Sequence, residues 1–539
     1  MRVLLLEPAY RNKFPPIGLM KIAQYHKSRG DNVLFAKGEI AGKSKKKWDR
    51  VYITTLFTFE HRRTLQCIEY AKTLVKPEQI FIGGVAATLM PKQFESDTGI
   101  RPLTGLLHCS KQLGFGDSVA IDMLVPDYSI LDDISYRYPF EDAYLLTATR
   151  GCGQKCSFCA VQALEPDYVD YLPILPRIAE IDRLYGARRR LCLLDNNVLR
   201  SRQFDRIIDD IKTAGFQKNA TFISPETGKT RKRYVDFNQG LDTLWITPEK
   251  TARLGEIALS PCHIAFDHID ETARYQKAIT LLEQNDITDV CTYLLYNIPD
   301  FKGKGTQRPA DTPKDLYERV QINAQFAKKV NKTRKGNADK LFGGFSFPMR
   351  YAPLDCTTRD YIAPNWNKKL LAGLREAKGP TNGGIPATWD SFLSIMGKNH
   401  QEFYENLLLP TPYIRERKPN GHPAWKRAIL HWKRLYRSLT DTQRADFEQV
   451  VSDNCVAVEK LEQIRSKQAK TLYMFYFIGA KFLQLLRHVS MTTRDLPLLQ
   501  QALDDYPELL AVTMLTLSNA GNKESIYAAF ERFGHGIWI

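Results

Sequence analysis

Short apolar runs alternate with helical stretches over the first two thirds of this chain, and that rhythm restricts the fold more than any other feature. The apolar runs have the length of strands, and the stretches between them have the spacing of amphipathic helices. A strand–helix–strand order produces parallel sheets with helices on their faces. We predict strands at Val3–Glu7, Val33–Ala36, Val51–Thr55, Gln79–Val85, Tyr144–Ala148, Leu191–Leu194, Val235–Asn238, His263–Phe266, Thr292–Tyr296 and Phe345–Arg350.

A length of 539 residues predicts about three domains. We assign residues 1–135 to a Rossmann-like open sheet, residues 136–375 to a partial (β/α)6 barrel and residues 376–539 to a mostly helical domain. The predicted fold class is therefore α/β. In a barrel of this kind, the chemistry lies at the carboxyl ends of the strands.

Composition and apolar runs exclude several classes of protein. A chain with 43% hydrophobic and 25% charged residues is globular rather than disordered or fibrous. The densest apolar run, Leu472–Ala480, ends at Lys481 and is too short to span a bilayer. The segment Met1–Tyr10 lacks the layout of a signal peptide. We therefore predict a cytoplasmic protein with no membrane partner.

Three of the ten cysteines fall within eight residues, in the sequence Arg150-Gly-Cys152-Gly-Gln-Lys-Cys156-Ser-Phe158-Cys159. This loop follows the first predicted strand of the middle zone. Three thiolates on one loop can converge on a soft metal centre, and thiolates are the usual ligands of iron–sulfur clusters. A structural zinc ion requires four closed ligands, and no fourth Cys or His lies nearby at zinc-like spacing. A zinc loop, or cysteines clustered by chance, is the alternative.

The spacing Cys-x3-Cys-x2-Cys, with an aromatic residue before the last cysteine, resembles the signature of the radical S-adenosylmethionine (radical SAM) superfamily. The resemblance implies a [4Fe–4S] cluster on Cys152, Cys156 and Cys159, whose open iron chelates the methionine part of SAM. It implies that an electron from the cluster cleaves SAM to a 5′-deoxyadenosyl radical, which abstracts a substrate hydrogen. It also implies that Phe158 packs near the adenine and that a flavodoxin or ferredoxin supplies the electron.

Polar residues follow several of the predicted strands. After the second strand of the middle zone, the superfamily usually has a Gly-Gly-Glu-like turn that contacts the methionine amine, whereas this chain has Leu193-Leu-Asp195-Asn196-Asn197. For this turn, the alternative is an Asx turn that caps the next helix. Arg350, which ends the last predicted strand, is a further candidate contact residue, with a structural salt bridge as its alternative. We expect the bound cofactor SAM, or the substrate of the enzyme, to contact Phe158, Asp195, Asn196, Asn197, Asn238, Gln239, Asp242, Asp267, Tyr296 and Arg350.

The front zone resembles the cobalamin-binding domain that precedes the barrel in one branch of this superfamily. The turn Pro15-Pro16-Ile17-Gly18-Leu19, which leads into a helix, is typical of that layout. The cobalt-ligating motif Asp-x-His-x-x-Gly is absent, since His26 lies inside a predicted helix and His61 opens another. Cobalamin is therefore a possible cofactor, and a vestigial domain that packs or holds substrate is the alternative.

The net charge of +16, from 76 basic and 60 acidic residues, favours a polyanionic partner such as RNA or DNA. The best candidate surface is the basic stretch Arg415–Arg437, in which Trp425 and Trp432 are seven residues apart and share a helical face. Such aromatic rings can stack on exposed bases, although the same face is equally suited to a core. The candidate nucleic-acid residues are Arg415, Arg417, Lys418, Trp425, Lys426, Arg427, Trp432, Lys433 and Arg434.

The sequence therefore predicts a radical SAM enzyme that modifies a nucleic acid or a nucleotide-bearing substrate. The first alternative is a radical SAM enzyme that acts on a peptide or small metabolite, as a methyltransferase if cobalamin binds. The second is a non-catalytic iron–sulfur scaffold or sensor. Three other cysteines near predicted strands, Cys262, Cys291 and Cys356, are expected to be small buried hydrophobes, with a hydrogen-atom donor or substrate acceptor as the alternative.

Overall fold

The computed structural model describes residues 1–40, 47–225, 227–303, 306–334, 341–417, 423–452 and 458–486. The chain forms two compact units. The first contains Met1–Leu295, Thr333–Gly344 and Met349–Tyr361, and the second contains Tyr296–Lys332, Phe345–Pro348 and the described residues from Ile362 onward. The front zone and most of the middle zone lie together in the first unit, and the three-domain division stays a prediction.

The front of the first unit is a four-stranded parallel sheet in the order β2-β1-β3-β4. Leu4, Leu6 and Ile53 of this sheet are fully buried with Ile68 in one apolar core. Helices connect β1 to β2 and β3 to β4, as the alternating pattern predicts. The strands are β1 (Arg2–Glu7), β2 (Asn32–Lys37), β3 (Arg50–Thr55) and β4 (Ile80–Gly84), and the helices are α1 (Ile17–Ser28), α2 (His61–Leu74), α3 (Val85–Leu89) and α4 (Pro91–Thr98).

A second run of parallel strands follows, in two hydrogen-bonded groups that we together call the second sheet. Its strands are β5 (Ala143–Leu146), β6 (Arg190–Leu193), β9 (Tyr234–Phe237), β10 (Cys262–Ala265) and β11 (Asp289–Tyr296), with the hairpin β7 (Thr221–Ile223) and β8 (Thr230–Lys232) inserted before β9. Strands β5, β6 and β9 are parallel neighbours, and so are β10 and β11. Backbone bonds from Val235 N to Ala258 O (2.8 Å) and from Leu241 N to His263 O (2.8 Å) join β9 to β10. The connecting helices are α5 (Val161–Leu164), α6 (Leu175–Tyr185), α7 (Phe204–Ile211), α8 (Pro248–Leu254) and α9 (Thr272–Gln284).

The two faces of the second sheet differ in exposure. On the outer face, Tyr275 of α9 bonds to Thr292 at 2.7 Å and stacks on Phe266. Thr292 and Phe266 are both 0% exposed. Cys291 and Tyr293, which alternate with Thr292 along β11, are only half-buried. We call the face that carries Cys291, Tyr293 and their register partners on the neighbouring strands the inner face.

The described part of the second unit is mainly helical. Strand β12 (Phe301–Gly303) pairs antiparallel with β13 (Thr306–Arg308). Strand β14 (Gly343–Arg350), of which Phe345–Pro348 belong to this unit, pairs antiparallel with β15 (Ile385–Pro386). None of the described helices in the chain is long and apolar enough to cross a membrane. The helices of this unit are α10 (Pro313–Thr333), α11 (Lys368–Lys378), α12 (Trp389–Met396), α13 (His400–Leu408), α14 (Thr411–Glu416), α15 (Pro423–Ser438), α16 (Asp441–Ser452), α17 (Val458–Gln463) and α18 (Lys467–Leu486).

The chain is thus a mixed α/β protein with parallel sheets, as the sequence predicts.

Candidate functional site

The three clustered cysteines lie on the loop between β5 and α5. Arg150 begins the loop and exchanges backbone hydrogen bonds with Val169, at 3.1 and 3.0 Å. Gly151 has a φ of +72°, and a Cβ at this position would lie 2.5 Å from the Asp167 carbonyl oxygen. A glycine is therefore required here, and the turn that it permits carries the loop away from the carboxyl end of β5.

Glu165 holds the start of this loop. Its carboxylate pairs with Arg150 and accepts hydrogen bonds from Gly151 N and Asn196 Nδ2, all three at 2.7 Å. No sequence motif singles out Glu165, which is an isolated glutamate after a short helix. Its role depends on contacts that only the fold creates.

Asn197 links the cysteine loop to the next strand end. Its Nδ2 donates to Cys152 Sγ at 3.4 Å and to Asp242 Oδ2 at 3.1 Å, and Gln154 Nε2 donates to the same oxygen at 3.3 Å. Asn197 is 1% exposed, and its Oδ1 has no hydrogen-bond partner among the described residues. Asn197 also precedes a short 3-10 turn without capping it, so the Asx-turn alternative is not observed for this residue.

The three thiols of the loop are not grouped around a single ion position. Among the described residues, no three Cys, His, Asp or Glu side chains form a group that would hold one metal ion. Each cysteine ligand of a [4Fe–4S] cluster binds a different iron, so the sulfurs need not share one coordination sphere. Partial burial raises the pKa of Cys159, and Cys152 and Asp267 add to the effect. Because the ligand is a thiolate, loading this loop with metal releases protons.

The structure corrects the role predicted for Asp195. This carboxylate is 2% exposed and accepts hydrogen bonds from Ala148 N, at 2.9 and 3.1 Å, and from the Thr149 hydroxyl at 2.6 Å. Burial raises the pKa of Asp195 to about 6, although these hydrogen bonds act in the opposite direction. Asp195 therefore braces the end of β5 instead of facing a methionine amine.

Most other predicted contact residues lie at strand ends or turns of the first unit. Asn238 and Asp267 are half-buried, Gln239 is exposed, and Phe158 is half-buried in the cysteine loop. Asp242 also accepts from Leu244 N at 2.9 Å.

Two of the predicted residues make contacts elsewhere. The Arg350 guanidinium donates to the Tyr361 carbonyl at 2.7 Å. Tyr296 belongs to the second unit, where its buried ring packs 5.3 Å from that of Trp366. The contacts described do not join either residue to the cysteine loop.

A cavity of about 340 Å³ lies between the two sheets of the first unit, in the size range of small-molecule sites. Its walls include Thr54, Gly83 and Leu146, at the carboxyl ends of β3, β4 and β5. None of its lining residues is a histidine. His26 contacts Asp31 and Tyr52, and His61 contacts Asp97.

An ion-pair chain connects this cavity to the cysteine loop. Lys21 pairs with Asp122 at 3.0 Å, Asp122 pairs with Arg150 at 2.5 Å, and Arg150 pairs with Glu165. All four side chains line the cavity. Two of them also hold the loop, because Arg150 begins it and Glu165 binds Gly151.

The basic stretch of the second unit divides between buried and exposed residues. Trp432 is 0% exposed and stacks on Tyr436 with ring centroids 5.3 Å apart. Lys433 is buried and pairs with Glu402 at 2.9 Å. Trp432, which the sequence offers as a stacking ring, therefore lies in a core.

The remaining residues of this stretch differ in their surroundings. Arg417 donates to the Ile395 carbonyl at 2.5 Å, and Arg415 pairs with Glu376 at 2.8 Å. Lys418 and the side chain of Trp425 lie outside the described residues. Lys426, Arg427 and Arg434 are exposed.

The structure is similar to solved radical SAM methyltransferases. One is TsrM from Kitasatospora setae with cobalamin and a [4Fe–4S] cluster bound, with 13% identity over 59% of this chain and 69% of that chain, and a TM-score of 0.41. Another is TsrM with tryptophan substrate and the SAM analogue aza-SAM bound, with 12% identity over 59% and 70% of the two chains, and a TM-score of 0.42. Both are of the superfamily that the cysteine motif resembles. No protein-family model and no curated protein matches the chain.

Proposed function

We propose that this protein is a radical SAM enzyme whose [4Fe–4S] cluster is held by Cys152, Cys156 and Cys159. The observation that carries the proposal is the cysteine loop itself. Three thiols with the superfamily spacing follow the carboxyl end of a parallel strand, and the Asn197 amide donates to one of their sulfurs. When bound, such a cluster supplies the electron that cleaves SAM to a 5′-deoxyadenosyl radical.

The chain's own residues would position the cofactor. We propose that the second sheet is the wall of a partial barrel with SAM at its strand ends. Asn196, Asn197 and Asp242 follow β6 and β9, and they supply amide and carboxylate groups near the cysteine loop. The Oδ1 of Asn197, which has no hydrogen-bond partner among the described residues, is suited to accept a hydrogen bond from the amine of the SAM methionine. Phe158 offers an aromatic ring for the adenine.

Cobalamin is the proposed ligand of the cavity between the sheets. The cavity lies outside the carboxyl ends of parallel strands, where open α/β sheets bind their ligands. Cobalamin is larger than the cavity, so only part of it would be enclosed. Because no lining residue is a histidine, the cavity walls would offer cobalt no imidazole ligand.

A peptide or small metabolite is the proposed substrate class. The buried Trp432 and Lys433 remove the main support for a nucleic-acid platform on α15. Toward the carboxyl ends of the strands, the inner face includes a carboxylate but no lysine or arginine, at the positions Leu145, Cys192, Asp236, His263, Ala265, Cys291 and Tyr293. Arg190, on the same face at the amino end of β6, pairs with Asp142. Such a surface disfavours a polyphosphate and accepts a neutral or cationic group.

Anaerobic reconstitution with iron and sulfide tests the assignment. We expect about four irons per chain, an electron paramagnetic resonance (EPR) signal after reduction with dithionite, and release of 5′-deoxyadenosine from SAM. Cys156→Ala is expected to abolish the release. Cys356→Ala is the matched control, because this half-buried thiol lies outside the loop and donates to the Thr358 carbonyl.

Equal release of 5′-deoxyadenosine by the Cys156→Ala variant and the unmutated protein refutes the radical assignment. The reductant in the cell, proposed to be a flavodoxin or ferredoxin, is tested by replacing dithionite with either protein. Cobalamin is tested separately, by equilibrium dialysis against hydroxocobalamin and the visible absorption of the retained corrin.

A further inference from the structure

A carboxylate–imidazole pair lies on the inner face of the second sheet, apart from the cysteine loop. His263 Nε2 of β10 is 3.2 Å from Asp236 Oδ1 of β9. Each side chain is 10% exposed. His263 Nδ1 is buried and has no hydrogen-bond partner among the described residues. A buried imidazole nitrogen without a partner is costly, and in native proteins such atoms often serve binding or catalysis.

The charge of the Asp236 carboxylate favours a hydrogen on the nearer nitrogen of His263. Asp236 Oδ1 makes no aligned hydrogen bond with a described residue, but a negative oxygen 3.2 Å from Nε2 stabilises the tautomer with the hydrogen on Nε2. Nδ1 then holds a free lone pair. An imidazole with a carboxylate beside one nitrogen and a free lone pair on the other is suited to act as a general base.

Tyr293 places an aromatic ring beside this pair. Its ring is stacked on His263 with centroids 4.9 Å apart and an interplanar angle of 15°. Tyr293 donates from its hydroxyl to the Asn238 carbonyl at 3.1 Å, which fixes the ring under a strand end. The ring is half-buried, so an incoming planar group can pack against the remaining aromatic surface.

We infer that His263, oriented by Asp236, accepts a proton from an N–H or O–H group of a small aromatic substrate bound on the inner face. In this step the substrate N–H or O–H bond breaks, its electron pair stays on the substrate, and a new N–H bond forms at Nδ1. The resulting imidazolium is held against the Asp236 carboxylate. The inference rests on the proposed function, since it assigns the substrate side of the same enzyme.

Other titratable groups face this pair. Cys192 is the register partner of Asp236, Cys291 is that of His263, and Lys13 acts electrostatically on Cys291. Burial raises the pKa of Cys291 to about 12 and also raises that of Tyr293. Burial also raises the pKa of Cys192. These three groups therefore stay protonated near neutral pH and leave proton acceptance to the imidazole.

Nuclear magnetic resonance of the reconstituted full chain, labelled with ¹⁵N-histidine, tests the inference with phenol and anisole as probes. The His263 signals are identified by their loss in His263→Gln. We expect the Nε2–H tautomer, and a shift of the Nδ1 signal on addition of phenol but not of anisole, which lacks the O–H group. His26 is an internal control, because Asp31 and Tyr52 occupy both of its nitrogens.

Two variants give the affinity test. Asp236→Asn is expected to weaken phenol binding at least tenfold, whereas Asp289→Asn, an exposed carboxylate of β11 bonded to Ser260, leaves it unchanged. An Nδ1–H tautomer of His263 in the unmutated protein overturns the inference, as does an equal response to phenol and anisole. Release of 5′-deoxyadenosine is measured on the same sample. A response of the His263 signal to phenol without release of 5′-deoxyadenosine supports His263 as the proton acceptor and refutes the proposed function. Release of 5′-deoxyadenosine without a response to phenol supports the proposed function and refutes His263 as the proton acceptor.

Discussion

Asn197 Nδ2 lies 3.4 Å from the sulfur of Cys152. A hydrogen bond to a ligating sulfur withdraws electron density from it, and a cluster so contacted is easier to reduce. Asp242 accepts from the same amide nitrogen and therefore fixes its direction.

Replacing Asn197 by leucine is therefore expected to lower the midpoint potential of the reconstituted cluster. EPR-monitored redox titration measures this change. Asn285→Ala is the control, since it removes a side-chain amide of the same unit that bonds to Thr251 and the Leu281 carbonyl. An unchanged midpoint potential in an Asn197→Leu variant with full iron content contradicts the prediction. If the leucine variant retains little iron, Asn197→Asp repeats the test, because aspartate has nearly the same size as asparagine and lacks the N–H donor.

Gly151→Ala is expected to impair cluster assembly. The positive φ alone costs about 1–2 kcal/mol for a residue with a Cβ, and the approach to the Asp167 carbonyl forces the backbone to shift. Iron content after reconstitution is the measurement, with at least a twofold loss expected. Gly116→Ala is the control, because a Cβ there meets nothing within 4 Å. Full iron content in Gly151→Ala would show that the loop tolerates the shift.

Lys369 makes the stability of the second unit depend on pH. It is 1% exposed, its Nζ donates to the Leu409 carbonyl at 2.6 Å, and burial lowers its pKa to about 7. The unfolded chain binds this proton up to a pKa near 10.4, so the free energy of unfolding rises with pH between about 7 and 10. The rise attributable to Lys369 is about 2 kcal/mol from pH 7 to pH 9.

Urea unfolding at pH 7 and pH 9 measures this rise. Lys369→Met is expected to remove it and to stabilise the protein at pH 7. Lys368→Met, its neighbour in sequence, is the control and is expected to preserve the difference. The same rise in Lys369→Met as in the unmutated protein would assign it to another group.

Trp432→Ala is expected to destabilise the protein by about 3–5 kcal/mol, because it opens a cavity beside Tyr436 and Phe447. Arg427→Ala, an exposed change on the same helix, should alter stability by less than about 0.5 kcal/mol. Urea unfolding measures both. A Trp432→Ala variant that keeps its stability but loses binding to RNA at low salt would restore the nucleic-acid interpretation.

Sequence periodicity predicted the parallel strands well, because strands buried on both faces read as continuous apolar runs. The prediction of a strand at Val51–Thr55 differs from the observed Arg50–Thr55 by one residue. Helix α8 begins directly after Thr247, a capping residue followed by a first-turn proline, and the Thr247 hydroxyl accepts a hydrogen bond from Lys250 N there. The hairpin from Thr221 to Lys232 was missed because its strands are only three residues long and largely exposed.

The candidate site was less predictable than the fold. Adjacent residues of the turn after β6 have opposite roles: Asp195 points back to the strand end and Asn197 points to Cys152. A sequence pattern identifies polar residues in a turn but not the directions of their side chains. The pair between Asp236 and His263 joins two strands that are far apart in the sequence, so only the order of the sheet brings it together.

The ion-pair chain from Lys21 to Glu165 has a thermodynamic consequence. The ion pairs of Asp122 and Arg150 belong both to the wall of the cavity and to the base of the cysteine loop. A ligand that rearranges these ion pairs on entering the cavity therefore changes the free energy of the loop. A cluster that rearranges them on assembly changes the free energy of ligand binding in the cavity. By linkage the two coupling free energies are equal, so each occupant alters the other's affinity by the same factor.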